Sequence, residues 1–215
     1  MSSTERTRIR RLPKKAVDDR AVLFSILDSA LIAHIAIIDN GQPYALPVGC
    51  ARDGDRLLIH GSTASRLFKT LKDGAPCCAT VTLLDGMVLA RSSFESSMHY
   101  RSAMILGSAS ELVGTEKERA LDVITEHLLP GRLPELRKSK EQELKATSVL
   151  AIPLTEFSLK VSAGEPDDDP EDLDSPIWAG IVPMLHTWGV PRAAENLVDA
   201  IAPPAYLANW PTGRS

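Results

Sequence analysis

Leu57-Leu58-Ile59-His60-Gly61-Ser62-Thr63-Ala64-Ser65-Arg66 joins a short apolar run to a segment in which Ala64, Leu67, Phe68 and Leu71 recur at helical spacing. The run reads as a strand and the spaced residues as a helix over about 64–71. The joint between them is small, rich in hydroxyls and ends in a cation. A helix start gathers backbone N–H groups that have no intrahelical partner, together with the positive end of the helix dipole. Phosphate is often held at such a place. An ordinary Ser/Thr cap followed by a surface arginine fits the same residues, so the local pattern leaves both readings open.

Working outward, turn signals separate further apolar runs. Val22, Leu23, Ile26 and Leu27 share one face of a helix over Val17–Asp28. Leu31–Ile38 reads as a buried strand, which makes His34 a core residue. Asp39-Asn40-Gly41-Gln42 is a hairpin turn, and Tyr44–Ala51 is the returning strand. Pro47 inside it implies an edge position or a bulge. Asp53-Gly54-Asp55 turns the chain into Arg56–His60. Cys77–Leu84 is a strand, and Asp85-Gly86 turns it into Met87–Arg91. Tyr100–Val113 is a long strand with a bend at Gly107. Thr115-Glu116-Lys117-Glu118 has the form of a capping box and opens a helix that carries Leu121, Ile124 and Leu128. Ala146–Val161 is a last strand, interrupted at Pro153. Hairpins dominate, so a doubly wound parallel sheet is excluded. A closed or partly closed antiparallel barrel with helices on its rim fits best: mainly β with α.

The chain has 215 residues, a net charge of −4 and three cysteines. That size suits one domain with an appendage. The charge gives no field for nucleic acid, and the cysteine count fits a reducing cytoplasm rather than a disulfide framework. No run is long and apolar enough to span a membrane. Residues 1–15 form a basic tail, read as a solvated segment in contact with the body, and the barrel occupies 16–162. Gly164–Pro176 holds seven acidic residues and three prolines and reads as an exposed linker. It leads from 163 into a C-terminal extension that packs on the barrel or a dimer, with a helix over Ala193–Ile201. The five histidines show no metal-ligand spacing, so no metal site is expected. Cys77 and Cys78 point to opposite faces of a strand and read as small buried residues rather than a redox pair.

Several motifs, taken in order, carry a resemblance. Ser65-Arg66 stands where the pyridoxamine 5′-phosphate oxidase-like flavoproteins have Ser-Arg-Lys, although Leu67 replaces the lysine. Arg101 and Gly107 match the Arg-Gln-Val-x-x-x-Gly of that family's long strand, with Ser102 replacing glutamine. Gly41-Gln42-Pro43-Tyr44 with Pro47, His60-Gly61-Ser62, Asp85-Gly86, His99-Tyr100-Arg101-Ser102, Glu143-Leu144 and Trp178-Ala179-Gly180 resemble the flavin-nucleotide-binding, nitroimidazole-reductase-like branch.

The resemblance implies a six-stranded split barrel that binds flavin mononucleotide (FMN). It also implies a homodimer with the flavin at the subunit interface, working as an oxidoreductase on a small molecule with possible use of NAD(P)H. Ser65 and Arg66 would hold the phosphate, supported by His60, Ser62 and Thr63. Pro47, Val48 and Gly49 would offer backbone groups to the ring edge, Gly49 either for close approach of the ring or as a bulge partner of Pro47. Arg101 and Ser102 would lie near phosphate or ring. His99 and Tyr100 would line the flavin or the dimer seam, or start a solvent-exposed strand. Trp178 would cover the flavin or anchor the tail. A flavin or haem carrier without catalysis, and a deazaflavin enzyme, remain alternatives on the same fold.

Overall fold

The computed structural model describes residues 4–198 and 201–210. The first strand is β1 (Ala16–Val17), followed by α1 (Arg20–Ser29), β2 (Ile32–Asp39), β3 (Gln42–Asp53) and β4 (Arg56–Ser62). Then come α2 (Arg66–Lys72), β5 (Pro76–Leu89), β6 (Ser97–Ser108), β7 (Ser110–Glu111) and α3 (Gly114–Leu128). Last are α4 (Glu141–Ala146), β8 (Thr147–Pro153), β9 (Glu156–Ser162) and β10 (Gly180–Pro183). All the strands join one antiparallel sheet in the order β1-β9-β6-β5-β2-β3-β4-β8-β7, with β10 added to β5. The sheet curls without closing, which is the split barrel expected from the sequence, but it has ten strands in place of six, because short edge strands and the C-terminal β10 add to it.

Two apolar clusters hold it. Inside the curl lie Leu23, Ile26 and Leu27 of α1, Ile35, Leu57, Ile59, Ile105 and Leu159, with Leu67, Phe68 and Leu71 of α2. A second cluster forms under α3 from Ala51, Leu58, Ala120, Ile124, Val149 and Ala151. Leu57 and Ile59 point into the first and Leu58 into the second, so β4 is buried on both faces and reads as an unbroken apolar run. α2 has only two turns and would not persist alone. Its three buried side chains stabilise it by about 1.5–3 kcal/mol each.

The structure departs from the sequence reading where tertiary partners override local signals. Asp85-Gly86 is no hairpin turn: β5 runs through it with a bulge against β6 between Leu84 and Gly86. The space a Gly86 side chain would need is filled by β10, whose Val182 carbonyl oxygen would lie 2.7 Å from a Cβ. The span 146–161 is two strands. β8 pairs with β4 and β9 with β6, so the chain crosses from one arm of the sheet to the other at Pro153–Glu156. Leu154, fully buried at the crossing, donates its N–H to Asp55 O at 2.9 Å. His34 is exposed rather than core, because its neighbours Ala33 and Ile35 take the inward positions. α3 begins at Gly114 with Val113 as its cap, so Thr115 lies inside the helix and forms no capping box. The acidic linker is pinned: Asp168 is buried and accepts from the Arg91 N–H and guanidinium at 2.6 Å each. Residues 193–198 are not helical, and 199–200 of that expected helix lie outside the described residues.

α2 docks on the barrel through Gly61. A Cβ at that position would lie 2.3 Å from Phe68 Cε2 and 2.7 Å from Cζ. Gly61→Ala therefore lowers stability by about 1–3 kcal/mol through overpacking, read by urea unfolding. Phe68→Leu in the same chain recovers part of the loss, because it vacates the space the methyl group enters.

Candidate functional site

The site expected from the sequence lies where β3 changes partners. Over Gln42–Gly49 it is bonded to β2 along one side only, and from Cys50 to Asp53 it gains β4 on the other. The open edge therefore includes Pro47, whose missing N–H suits an unpaired strand. On the far side of the opening, His60-Gly61-Ser62 stay on β8, and the chain turns into α2.

The turn itself is internally bonded. Thr63 donates its N–H (3.0 Å) and its Oγ1 (3.3 Å) to Ala146 O, at the end of α4. Ser62 Oγ accepts from the Ala64 N–H at 3.2 Å, and the Ser65 N–H donates to Ser62 O at 3.0 Å. Ser65 is the cap residue of α2, yet its hydroxyl bonds no backbone N–H of the helix. The first N–H that bonds back along the helix is that of Lys69, to Ser65 O at 3.0 Å, so those of Arg66, Leu67 and Phe68 have no intrahelical acceptor. With two turns the helix dipole adds little, and recognition of an anion here rests on hydroxyls and Arg66.

Arg66 reaches across the opening to β3. Its guanidinium stacks 4.7 Å from the centre of the Tyr44 ring, and its Nε lies 3.5 Å from Asp39 Oδ2. That ion pair is long and the arginine side chain is 57% exposed, so the cation is positioned but not consumed. Tyr44 and Asp39 were missed as partners because only the hairpin register brings them to α2. Leu67, at the position of the family's lysine, is buried in the barrel core and offers no group to a ligand.

His60 lies on the same side of β4 as Leu58, the α3 side. Its Nδ1 is buried without a hydrogen-bond partner. Burial holds its pKa below the ordinary histidine value, so at neutral pH it contributes a neutral ring and no positive charge. Gly49 points at Leu128 of α3, whose Cδ1 would lie 3.3 Å from an added Cβ. Its missing side chain admits that helix end, a role distinct from both expected ones. Val48 packs against the core and Pro47 is exposed.

Arg101, Ser102 and Trp178 are not gathered at this opening. Arg101 forms a two-pronged pair with Asp85, Nε–Oδ2 at 3.0 Å and NH2–Oδ1 at 2.7 Å. It faces a cavity beside Leu31 and Ile32, at the end of β2 away from Arg66 and Asp39. Ser102 lies on the outer sheet face opposite Thr82 and Lys160. Trp178 is exposed and covers Gly180, where a Cβ would meet its ring at 2.7 Å. His99 Nε2 lies 2.9 Å from Gly164 O, at the start of the linker. Among the described residues no cluster of three or more metal-ligating side chains exists. Burial pushes the Cys50 thiol up to about 12 and Cys77 to about 11, so both are inert thiols at neutral pH.

Residues 19–161 match the family model described as pyridoxamine 5′-phosphate oxidase. The chain belongs to the pyridoxamine 5′-phosphate oxidase family. No curated protein matches it. Among solved structures it is similar to the FAD and heme binding protein from Mycobacterium smegmatis, at 41% identity and TM-score 0.87, over 90% of this chain and 96% of that one. It is also similar to the flavocytochrome Anf3 from Azotobacter vinelandii, at 35% identity and TM-score 0.90, over 95% and 96% of the two chains. A candidate 5-nitroimidazole antibiotic resistance protein from Bacteroides thetaiotaomicron shares the fold at 24% identity and TM-score 0.58, over 68% of this chain and 86% of that one. The first two alignments cover nearly the whole chain, so the likeness continues beyond the family model's end at residue 161.

His60 sets a pH dependence. Its folded pKa lies below its unfolded value of about 6.5, so at acid pH the unfolded chain binds the extra proton first. Stability is full above that value and falls as pH drops through it towards the folded pKa. The melting temperature of the parent is expected to fall more steeply between about pH 7.5 and 5 than that of His60→Gln, which removes the titrating group. Parallel slopes would show that His60 is not buried neutral.

Proposed function

We propose that this protein is a flavin-dependent oxidoreductase that works with a haem. The single observation that carries the reading is the near-full-length similarity to two proteins whose names join the same chemistries: an FAD and heme binding protein, and a flavocytochrome. In place of the mononucleotide expected from the sequence, the flavin proposed is the dinucleotide, as in the first of those names.

The residues present fit a flavin. The open edge of β3 offers backbone donors and acceptors along Pro47-Val48-Gly49, where β4 does not bond. Arg66 is held against Tyr44 with its charge exposed, ready for a phosphate. The Ser65 hydroxyl and the first N–H groups of α2 are free for the same oxygens. Bound flavin would supply one- and two-electron transfer, so no acid–base triad is required, and none is assembled at the opening.

We also propose a homodimer. The outer face of the sheet is apolar and uncovered, with Ile32 54% and Ile38 67% exposed beside Pro43, Ala45 and Pro47. The C-terminal arm is likewise bare: Leu185 is 83% and Val190 91% exposed. Exposed apolar side chains gathered on one face, here with His34 among them, mark an interface. A second copy would close the open edge of β3 and shield a bound flavin from water.

Purified protein is expected to carry or take up FAD, identified by chromatography of the released flavin, and to sediment as a dimer. Arg66→Ala weakens flavin affinity by about ten- to a hundred-fold, the loss of about 1.5–3 kcal/mol from a charged hydrogen bond, read by fluorescence quenching. Colourless protein whose melting temperature ignores both FAD and FMN would refute the flavin reading. Ile38→Lys, set in the bare face, is expected to give monomers.

A further inference from the structure

The flavin opening leaves a large cavity unused. It measures about 780 Å³, inside the range of small-molecule sites. One wall is the barrel end, with Leu31, Ile32 and Leu84, and the other is the C-terminal arm, with Met184, Leu185 and Trp188. The arm is anchored on both sides of that wall. Before it, β10 pairs with Gly86–Leu89 of β5, and the Met184 N–H donates to Asp85 O at 2.9 Å. Beyond it, the Trp188 ring meets the Trp210 ring edge-on at 6.4 Å, Trp210 packs on Tyr206 at 5.9 Å, and the Tyr206 hydroxyl donates to Glu135 Oε2 at 2.9 Å. Trp188 is therefore braced although it is 56% exposed.

The polar part of the barrel wall is a neutral pair. Asp85 and Arg101 both line the cavity. Asp85 is the residue left out of the ladder with β6 at the bulge between Leu84 and Gly86, and bulges re-aim side chains. Its backbone oxygen holds the arm, and its two carboxylate oxygens take Nε and Nη2 of Arg101 at 3.0 and 2.7 Å. Nη1 of Arg101 is left without a partner among the described residues. Such a wall selects against ions. A carboxylate or phosphate here would lie against Asp85, and an ammonium against Arg101, with no unmatched charge in the barrel wall to offset the loss of hydration. His186 and Thr187, which the arm contributes, are solvent-exposed. The wall offers a spare N–H at one point and apolar surface elsewhere. A carbonyl oxygen or similar acceptor satisfies the first, and a carbon skeleton the second.

We propose that this cavity binds an uncharged, mainly apolar small molecule that carries one hydrogen-bond acceptor, with the acceptor facing Arg101 and the skeleton lying between the barrel end and Trp188. Asp85 is the specificity determinant: by neutralising Arg101 it turns an anion site into a site for neutral acceptors. Ile32, in the cavity wall, is the register partner of Gly49 on the strand proposed to border the flavin. Adjoining strands, about 4.8 Å apart, would thus carry flavin and ligand, which makes the ligand the substrate of the proposed oxidoreductase. That last assignment alone rests on the flavin reading.

Three naphthalenes of similar size test the site by equilibrium dialysis with the full-length protein: 2-acetylnaphthalene, 2-ethylnaphthalene and 2-naphthoate. The ketone is expected to saturate at one per chain. The hydrocarbon, which lacks the acceptor, should bind about tenfold more weakly, and the carboxylate more weakly still. Asp85→Asn frees the charge of Arg101 and should reverse the order, so that 2-naphthoate binds more tightly than the ketone. Trp188→Ala should weaken ketone and hydrocarbon alike, by about tenfold. Circular dichroism and flavin affinity, expected to be unchanged, show that both variants fold. Failure of the parent to bind the ketone up to its solubility limit, a preference of the parent for the carboxylate, or an unchanged order of ligands in Asp85→Asn would each overturn the proposal. Unchanged binding in Trp188→Ala would overturn the location. Ketone binding by a protein that takes up no flavin would uphold the pocket and overturn only its role as the substrate site.

Discussion

The change of partner along β3 organises this molecule. Up to Gly49 the strand is paired with β2, and from Cys50 it is paired with β4 instead. A sheet that kept both partners along its whole length would leave no unpaired edge for a ligand. Because the strands part here, α2 can enter beside the opening and α3 can pack its Leu128 against Gly49. The opening depends on two small residues. Gly61 admits the Phe68 ring of α2, which a methyl group would overlap, and Gly49 admits the Leu128 side chain at the end of α3, which a methyl group would crowd.

The same opening explains how a site can be polar in a fold held by apolar burial. Backbone groups left free at the edge of a strand need partners, and on the separate chain water provides them. A flavin, together with a second copy of the chain, would replace that water. Arg66 suits such a surface because Tyr44 orients its guanidinium without neutralising it. His60 lies further in and is held below the ordinary histidine pKa by burial, so the positive charge at the opening comes from Arg66, with the Asp39 carboxylate 3.5 Å away.

The C-terminal extension changes the other end of the barrel. β10 takes over the edge of β5 where β2 has ended: β2 pairs with β5 over Cys78–Thr80 and β10 over Gly86–Leu89. The bulge at Leu84–Gly86, in the pairing with β6, falls between these two segments. The buried pair of Asp168 with Arg91 fixes the linker ahead of it. The arm is thereby carried over the barrel mouth, and the cavity that Trp188 and Arg101 line forms between them. The linker was read as solvated because seven acidic residues looked like a solvent-facing run, whereas one of them, Asp168, is the buried anchor.

The sequence by itself determined the antiparallel class, the strand-to-helix joint at His60–Arg66, the edge character of Pro47 and the family, because hydrophobic period, turn residues and motif order are local properties of the chain. It mistook Asp85-Gly86 for a turn and 146–161 for one strand. It also placed His34 in the core, whereas that side chain is exposed. Those questions are settled by which strand lies alongside, and pairing is a long-range choice that no window of residues contains. Only the tertiary structure decided that Arg66 meets Tyr44 and Asp39, that Arg101 is tied to Asp85 far from the phosphate loop, and that Trp188 lines a cavity. Each of these contacts joins residues whose separation along the chain carries no periodic signal, so only the packed sheet brings them together.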